Sequence, residues 1–265
     1  MIPAITAEYR KFFSTRMWWV LLACMVPYTA IGVGLIAVMI HVIGGTAGVS
    51  ADLIGTPYAV PAALAYVFPA IVGTMSVTGE YRHQTLTPTF LAEPRRGIVL
   101  GAKLIGSAPM GLAYGLAASV TALAVGGGLL AILGDDAGLG QVKTWRDLGL
   151  GAIAMMLWTL VGVGFGALVR NQVAAIVILL VFNQVLEPVL RMVPLAVGRG
   201  AEVAQFLPGA AGEALAGGGG MSMFGFGSIE GMMALPAWAG ALVMLGYAAL
   251  FSAIGYVASF RRDVG

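Results

Sequence analysis

Residues 98–133 read IVLGAKLIGSAPMGLAYGLAASVTALAVGGGLLAIL, a continuous apolar run whose only charged residue is Lys103. A helix that crosses the hydrocarbon core of a membrane needs about 20 mostly apolar residues. This run is longer than that, so it predicts a spanning helix that tilts strongly or projects beyond the bilayer. A membrane β-barrel would instead show short segments of alternating polarity.

Five other runs have the same character, and together they predict an all-α, polytopic membrane protein with a single transmembrane domain over residues 1–265. The six predicted spans are 17–43, 57–78, 98–133, 148–169, 172–193 and 236–260. Charged residues make up 10% of the chain, whereas a soluble domain carries about 25%. The first run is longer than the apolar part of a signal peptide, so it is expected to stay as an uncleaved span. The single cysteine, Cys24, excludes an intrachain disulfide and a cysteine metal cluster.

The distribution of Lys and Arg predicts the orientation. With six spans and a cytoplasmic N-terminus, ten of the 14 basic residues fall on the cytoplasmic side, and four fall outside: Lys143, Arg146, Arg191 and Arg199. Basic residues favour the cytoplasmic side of a membrane. The pattern therefore predicts that both termini are cytoplasmic in a multi-pass protein of the cell (plasma) membrane. Membrane lipid is an expected partner and nucleic acid is not.

The segment before the first span, 1–16, predicts an interfacial helix. Ile2, Ile5, Tyr9, Phe12 and Phe13 recur at helical spacing, while the charged residues fall elsewhere on the wheel. Such a helix lies in the membrane interface with its cations near anionic lipid. An ordinary extension of the first span is the alternative interpretation.

The loop at 79–97 reads GEYRHQTLTPTFLAEPRRG and carries more information than any other segment. It combines charges, turn residues and an apolar patch, a composition that suits docking to a soluble partner. The alternative is a solvated basic loop that only fixes the topology.

The string GEYRHQTL, followed by PRRG and by Lys103 near the start of a long span, resembles the permease subunits of ABC-2-type ABC transporters. The resemblance implies that the loop forms a cytoplasmic coupling helix against a separate ATP-hydrolysing subunit. The residues it implies at that interface are Glu80, Tyr81, Arg82, Thr85, Leu86, Phe90, Leu91, Arg95 and Arg96. Glu80 and Arg82 would make charged contacts, and Leu86, Phe90 and Leu91 would form an apolar anchor.

The chain has no G-x-x-x-x-G-K-[ST] phosphate loop. The resemblance therefore implies that the partner subunit binds ATP and Mg²⁺, and that this chain is not an enzyme and holds no cofactor. It further implies efflux through a pair of permease chains, either two copies or one copy with a homologue. The outer stretch 194–235, with the string FLPG at 206–209, is similar to the family's re-entrant region and predicts short helices at the outer surface.

Polar residues in the fifth span predict a second functional region. Asn183, Glu187 and Arg191 share one helix face, with Gln184 beside them, and the spacing predicts that Glu187 pairs with Arg191 near the outer end of the span. Ionisable groups inside a span usually face protein or water. The stripe predicts a substrate path or a dimer seam, and the alternative is that Glu187 and Arg191 lie at the outer interface.

Two other function classes are weighed against a permease. An intramembrane enzyme would need a nucleophile or a metal set, and the sequence has no G-x-S-x-G and no paired His/Asp metal pattern. An ion-coupled carrier, or a non-catalytic scaffold without an ATPase, is the remaining alternative, with Glu187 as its candidate ionisable group. The G-x-x-x-G patterns at 111–115 and 162–166 are interpreted as packing within the chain.

Overall fold

The computed structural model describes residues 2–47, 55–197, 201–217 and 235–260. Within those ranges every regular element is a helix, which confirms the all-α class. Six helical segments of the described chain are long and apolar enough to cross a membrane. Numbered as spans one to six, they are Met17–Val42, Thr56–Arg82, Arg96–Leu133, Val142–Leu168, Gln172–Met192 and Ala237–Ala258.

Four spans contain a π-helical turn. The helical elements that build the spans are Met17–Ala47; Thr56–Val60, Pro61–Ala65 (π) and Val67–Arg82; Arg96–Ala122, Leu123–Gly127 (π) and Gly128–Leu133; Val142–Leu168; Gln172–Val181, Phe182–Leu186 (π) and Glu187–Val197; and Ala237–Gly255 with Tyr256–Phe260 (π). In the described part of the chain, four shorter helices accompany them: the N-terminal helix Ile2–Ser14, the loop helix Leu86–Ala92, Ala201–Ala204, and the cap helix Pro208–Leu215.

Two predicted boundaries are corrected. Span two continues to Arg82, so residues 79–82 belong to the helix and not to the loop that was predicted from 79. Glutamate is a good helix former, and two lysines neutralise the buried charge of Glu80. Span four begins at Val142, before the predicted start at 148. The charged residues of its first turns are half-buried or exposed, so they remain hydrated within the helix.

Spans two and four form the centre of the bundle. Of their most apolar stretches, 72% and 67% of residues are buried, against 22% for spans one, five and six. Span four packs along spans two, three and six. The approach is close: a Cβ at Gly162 would collide with the carbonyl oxygen of Ala70, and one at Gly115 would lie 2.6 Å from Cα of Ala152. Both G-x-x-x-G patterns therefore serve packing within the chain, as predicted.

The short helices divide between the two ends of the bundle. The N-terminal helix packs against span three, and the loop helix joins spans two and three beside it; we call this the loop end. The cap helix packs against span six at the opposite end, which we call the cap end. The short helices expected in 194–235 are present as Ala201–Ala204 and Pro208–Leu215. The remainder of that stretch at 198–200 and 218–234 lies outside the described residues.

Candidate functional site

The loop helix is fixed to the bundle by one buried side chain. Leu86, its first residue, is 2% exposed and packs in a cluster with Val77, Val99 and Val163. The chain reaches this position through a tight turn in which Gln84 has a positive φ of 54°. Leu86 was expected to anchor a partner protein. In this structure it anchors the loop helix to spans two, three and four instead.

The outer face of the loop helix is open. Leu91 is 79% exposed, and Arg82 and Thr85 are also exposed. Phe90 is half-buried, and the guanidinium of Arg96 lies 5.1 Å from the centre of its ring, within cation–π range. The loop end thus presents an apolar side chain bordered by cations.

A short turn connects the loop helix to span three. Arg95 lies in it, exposed, and donates a hydrogen bond of 3.0 Å to the carboxylate of Glu93. That hydrogen bond holds the pKa of the Glu93 carboxyl below its usual value. Arg95 therefore keeps a charged partner within the turn.

Beneath the loop helix lies a buried ionic network that we call the loop-end cluster: Glu8, Lys11, Glu80, Thr89 and Lys103. Its centre is Lys103, whose side chain is 0% exposed. The Lys103 ammonium lies 2.9 Å from Glu8 Oε2 and 2.9 Å from Glu80 Oε1. It also donates a hydrogen bond to the carbonyl oxygen of Ser76 at 2.9 Å. All three donor positions of the ammonium therefore have acceptors.

Lys11 completes the loop-end cluster from the N-terminal helix. Its ammonium lies 2.6 Å from Glu80 Oε1 and 3.1 Å from Glu8 Oε1, and it donates to Thr89 Oγ1 at 3.3 Å. Burial alone would lower the pKa of Lys11, but the hydrogen bonds and charges of Glu80 and Glu8 outweigh it and raise the pKa. Lys11 is therefore charged at neutral pH.

The loop-end cluster joins four segments that are far apart in the sequence. Two cations face two carboxylates, so its formal charge is zero. Buried charges are tolerated only when they are paired and hydrogen-bonded in this way. The network ties the N-terminal helix, the end of span two, the loop helix and the start of span three into one unit.

The sequence interpretation missed four of these five residues. Glu8, Lys11, Thr89 and Lys103 were not candidate site residues, although a lysine within an apolar span signals a buried acidic partner. Glu80 was expected to contact another protein, but it is 7% exposed and its charge is used inside the chain. Of the other candidates, Tyr81 is half-buried beside the Leu86 cluster.

At the cap end, span five carries a second buried network, the cap-end cluster: Glu187, Arg191, Glu213 and the backbone N–H of Ala210. Glu187 is 1% exposed and Arg191 5%. The Arg191 guanidinium lies 2.6 Å from Glu187 Oε1 and 2.8 Å from Glu213 Oε1. The expected pairing of Glu187 with Arg191 is confirmed, and both side chains are buried in protein.

The cap helix contributes its first turn to this cluster. The FLPG string places Pro208 at the first position of the helix, where a missing N–H costs nothing. A Cβ at Gly209 would lie 2.6 Å from Glu187 Oε1, so only glycine allows this approach. The N–H of Ala210 then donates to the same oxygen at 2.9 Å. Burial raises the pKa of the Glu213 carboxyl, and Arg191 opposes that shift.

The other two polar candidates of span five, Asn183 and Gln184, differ in burial. Asn183 is buried and donates to the carbonyl oxygen of Leu179 at 2.9 Å. Gln184 is exposed on the outer face of the span, away from the cap-end cluster. Both residues lie in a π-helical turn over Phe182–Leu186, which ends immediately before Glu187. Such turns are frequent at functional sites, and Pro188 just beyond it cannot donate a backbone hydrogen bond.

Three or more His, Cys, Asp or Glu residues do not come together in a metal-binding group anywhere in the part of the chain that the structure describes. Comparison with known proteins gives no match, either to a protein-family model or to a characterised protein. The resemblance to ABC-2 permeases therefore stays a prediction from the sequence.

Proposed function

We propose that this chain is the permease subunit of an ABC exporter of the ABC-2 type, working as a dimer with a separate ATPase subunit. Both termini, and with them the loop end, would face the cytoplasm of the cell. The chain would form half of a transport pathway, while ATP and Mg²⁺ would be bound by the partner. The single observation that supports this most is the loop-end cluster.

The loop-end cluster supports a coupling role because of what it connects. A force on the loop helix would reach span two through Leu86, and it would reach the N-terminal helix through the Thr89–Lys11 contact. Lys103 would pass the same displacement to span three. Buried ion pairs hold a fixed geometry, since separating them leaves a charge without a partner.

The surface proposed for the ATPase is narrower than the sequence alone implies. It comprises the exposed members of the candidate set, Arg82, Thr85, Leu91 and Arg95, with Phe90 and Arg96 at its edge. An apolar side chain within a cationic rim resembles the composition of protein interfaces. Glu80 and Leu86 would act from within the chain, by holding the loop helix in place.

The test is complex formation with an ATPase encoded beside this chain. The variant Leu91→Asp combined with Arg82→Glu should weaken co-purification and stimulated ATP hydrolysis by about tenfold or more, as loss of an interface anchor does. Val203→Asp is the matched control, because Val203 is 73% exposed at the cap end against 79% for Leu91. If the double variant and the control retain the ATPase equally, the coupling surface is wrong.

An ion-coupled carrier without an ATPase is the second candidate, favoured by the buried acid of the cap-end cluster. Carriers of this kind use ionisable groups held within the protein. In vesicles that contain this chain alone, a carrier would move protons under an imposed membrane potential, detected with a pH-sensitive dye, and Glu187→Gln would abolish the signal. The permease proposal expects no such flux; a scaffold shows neither flux nor ATPase stimulation.

A further inference from the structure

A cavity of about 510 Å³ opens at the loop end, beside the N-terminal helix. Its wall includes Met17, Arg82 and Gln172. These residues are the start of span one, the end of span two and the start of span five. Since three spans begin or end here, the cavity lies at the boundary between the hydrocarbon core and water.

The wall of this cavity has an apolar part and a charged part. Trp18, Leu21, Val72 and Met75 form the apolar part, and Arg82 contributes a cation at the other end. A ligand that fits both must itself be amphipathic. At the depth of a membrane boundary, phospholipids are the abundant molecules of that kind.

Two buried acceptors in the wall have no donor. Gln172 and Glu80 are 9% and 7% exposed, and both line the cavity. The Oε1 atom of Gln172 and the Oε2 atom of Glu80 accept no hydrogen bond from the described residues. An unsatisfied buried acceptor costs about 1–3 kcal/mol. Both oxygen atoms are covered by protein, with less than 1 Å² accessible, so a ligand in the cavity reaches them only after the side chains rotate toward it. A ligand that then donates hydrogen bonds would remove that cost.

The net charge of the cavity lining determines which hydrogen-bond donors a ligand can carry. Within the loop-end cluster Lys11 and Lys103 already balance Glu8 and Glu80. Arg82 makes no ion pair with the described residues, so the cavity has one cation in excess. A headgroup ammonium would add another cation, whereas a monoanionic phosphate diester would neutralise Arg82. The donors of a matching ligand are therefore hydroxyls.

We propose that this cavity binds one anionic phospholipid with a hydroxyl-bearing headgroup, of the phosphatidylglycerol class. The phosphate pairs with Arg82, and the headgroup hydroxyls donate to Gln172 and Glu80 once these side chains rotate toward the cavity. The upper part of an acyl chain follows Trp18, Leu21 and Val72. Two residues of the lining, Arg82 and Thr85, also belong to the surface proposed for the ATPase. The cavity is formed by this chain alone, so lipid binding to the purified chain is tested without the ATPase.

A pair of glycine variants tests occupancy of the cavity without changing charge. Gly79 lines the cavity, and a Cβ there meets no atom within 4 Å, so Gly79→Leu places a larger side chain at an open position of the cavity wall. Gly101 is also helical and half-buried, with nothing within 4 Å, but it does not line the cavity. Native mass spectrometry of the purified chain should show phosphatidylglycerol retention falling about tenfold in Gly79→Leu and not in Gly101→Leu. Equal retention in both variants overturns the proposal.

The headgroup assignment has its own test. Arg82→Gln should lower phosphatidylglycerol retention more than Arg16→Gln, an exposed cation at the same end that does not line the cavity. Wild-type chain should prefer phosphatidylglycerol over phosphatidylcholine and phosphatidylethanolamine by about tenfold, the value of one charge-assisted hydrogen bond. Equal losses in the two arginine variants, or equal retention of the three lipids, overturns the assignment.

A competition experiment separates a lipid site from a site for soluble phosphodiesters. Glycerophosphoglycerol, which lacks acyl chains, should not compete with phosphatidylglycerol. Competition at equal concentration would show a soluble phosphodiester site instead of a lipid site.

Discussion

The loop-end and cap-end clusters both bury charged groups, but they differ in balance and in reach. The loop-end cluster pairs two lysines with two glutamates and joins four segments. The cap-end cluster sets one arginine against two glutamates, two of the three on neighbouring turns of span five. A balanced network is a permanent structural joint. A network with an excess carboxylate responds to protons, because one acid has no cation of its own.

The largest effect should follow from removing the cation at the centre of the balanced network. Lys103→Met leaves Glu8 and Glu80 buried with only the half-exposed Lys11. Breaking a buried pair in this way costs about 3–5 kcal/mol of unfolding free energy. Equilibrium unfolding of the detergent-solubilised chain, followed by circular dichroism in increasing SDS, measures the loss.

Lys143→Met is the matched control for that experiment. Lys143 is 62% exposed and lies 3.8 Å from Asp147, so its removal should cost about 0–1 kcal/mol. Similar losses for the two lysines would contradict the view that the loop-end cluster is a structural joint.

Removing the cation of the cap-end cluster should have an intermediate effect that depends on pH. Arg191→Met leaves Glu187 and Glu213 close together, which should cost about 2–4 kcal/mol near pH 7. Burial raises the pKa of Glu213, so near pH 5 a proton on this carboxyl relieves the repulsion and the loss should shrink. The same unfolding assay at both pH values measures it, with the exposed Arg146→Met as a control of equal charge change. A loss independent of pH would show that the cap-end acids do not respond to protons.

The sequence predicts the spans well because each is a long apolar run. Such a run is required by the membrane itself and does not depend on which helices pack beside it. It also predicts the Glu187–Arg191 pair, which is a local i, i+4 relation. The end of span two was misplaced because the partners that make Glu80 tolerable, Lys11 and Lys103, are remote in the sequence. Those contacts depend on how helices pack.

Candidate residues of the loop illustrate the same limit. Leu86 and Leu91 are both apolar residues of one short amphipathic segment, and the sequence treats them alike. In the structure one is 2% exposed and the other 79%. The difference follows from the turn at Gln84, whose positive φ sets the direction in which the loop helix leaves span two. No local pattern specifies that direction, so composition identifies the segment and not its contact face.

The smallest effect on stability is expected at Glu213, and this variant tests the difference between the two clusters most directly. Burial raises the pKa of this carboxyl above its ordinary value of 4.5. In the folded state it therefore binds a proton more tightly than in the unfolded state, so its contribution to stability is full below about pH 4.5 and is lost as pH rises through the folded-state pKa. Glu213→Gln keeps a neutral side chain at all pH values and leaves Glu187 paired with Arg191. We expect a change of about 1 kcal/mol or less at neutral pH, and a smaller decline of stability between pH 5 and pH 8 than in the wild type. If stability declines equally with pH in the variant and in the wild type, Glu213 is not the acid that lacks a cation. The cap-end cluster then responds to protons no more than the loop-end cluster does.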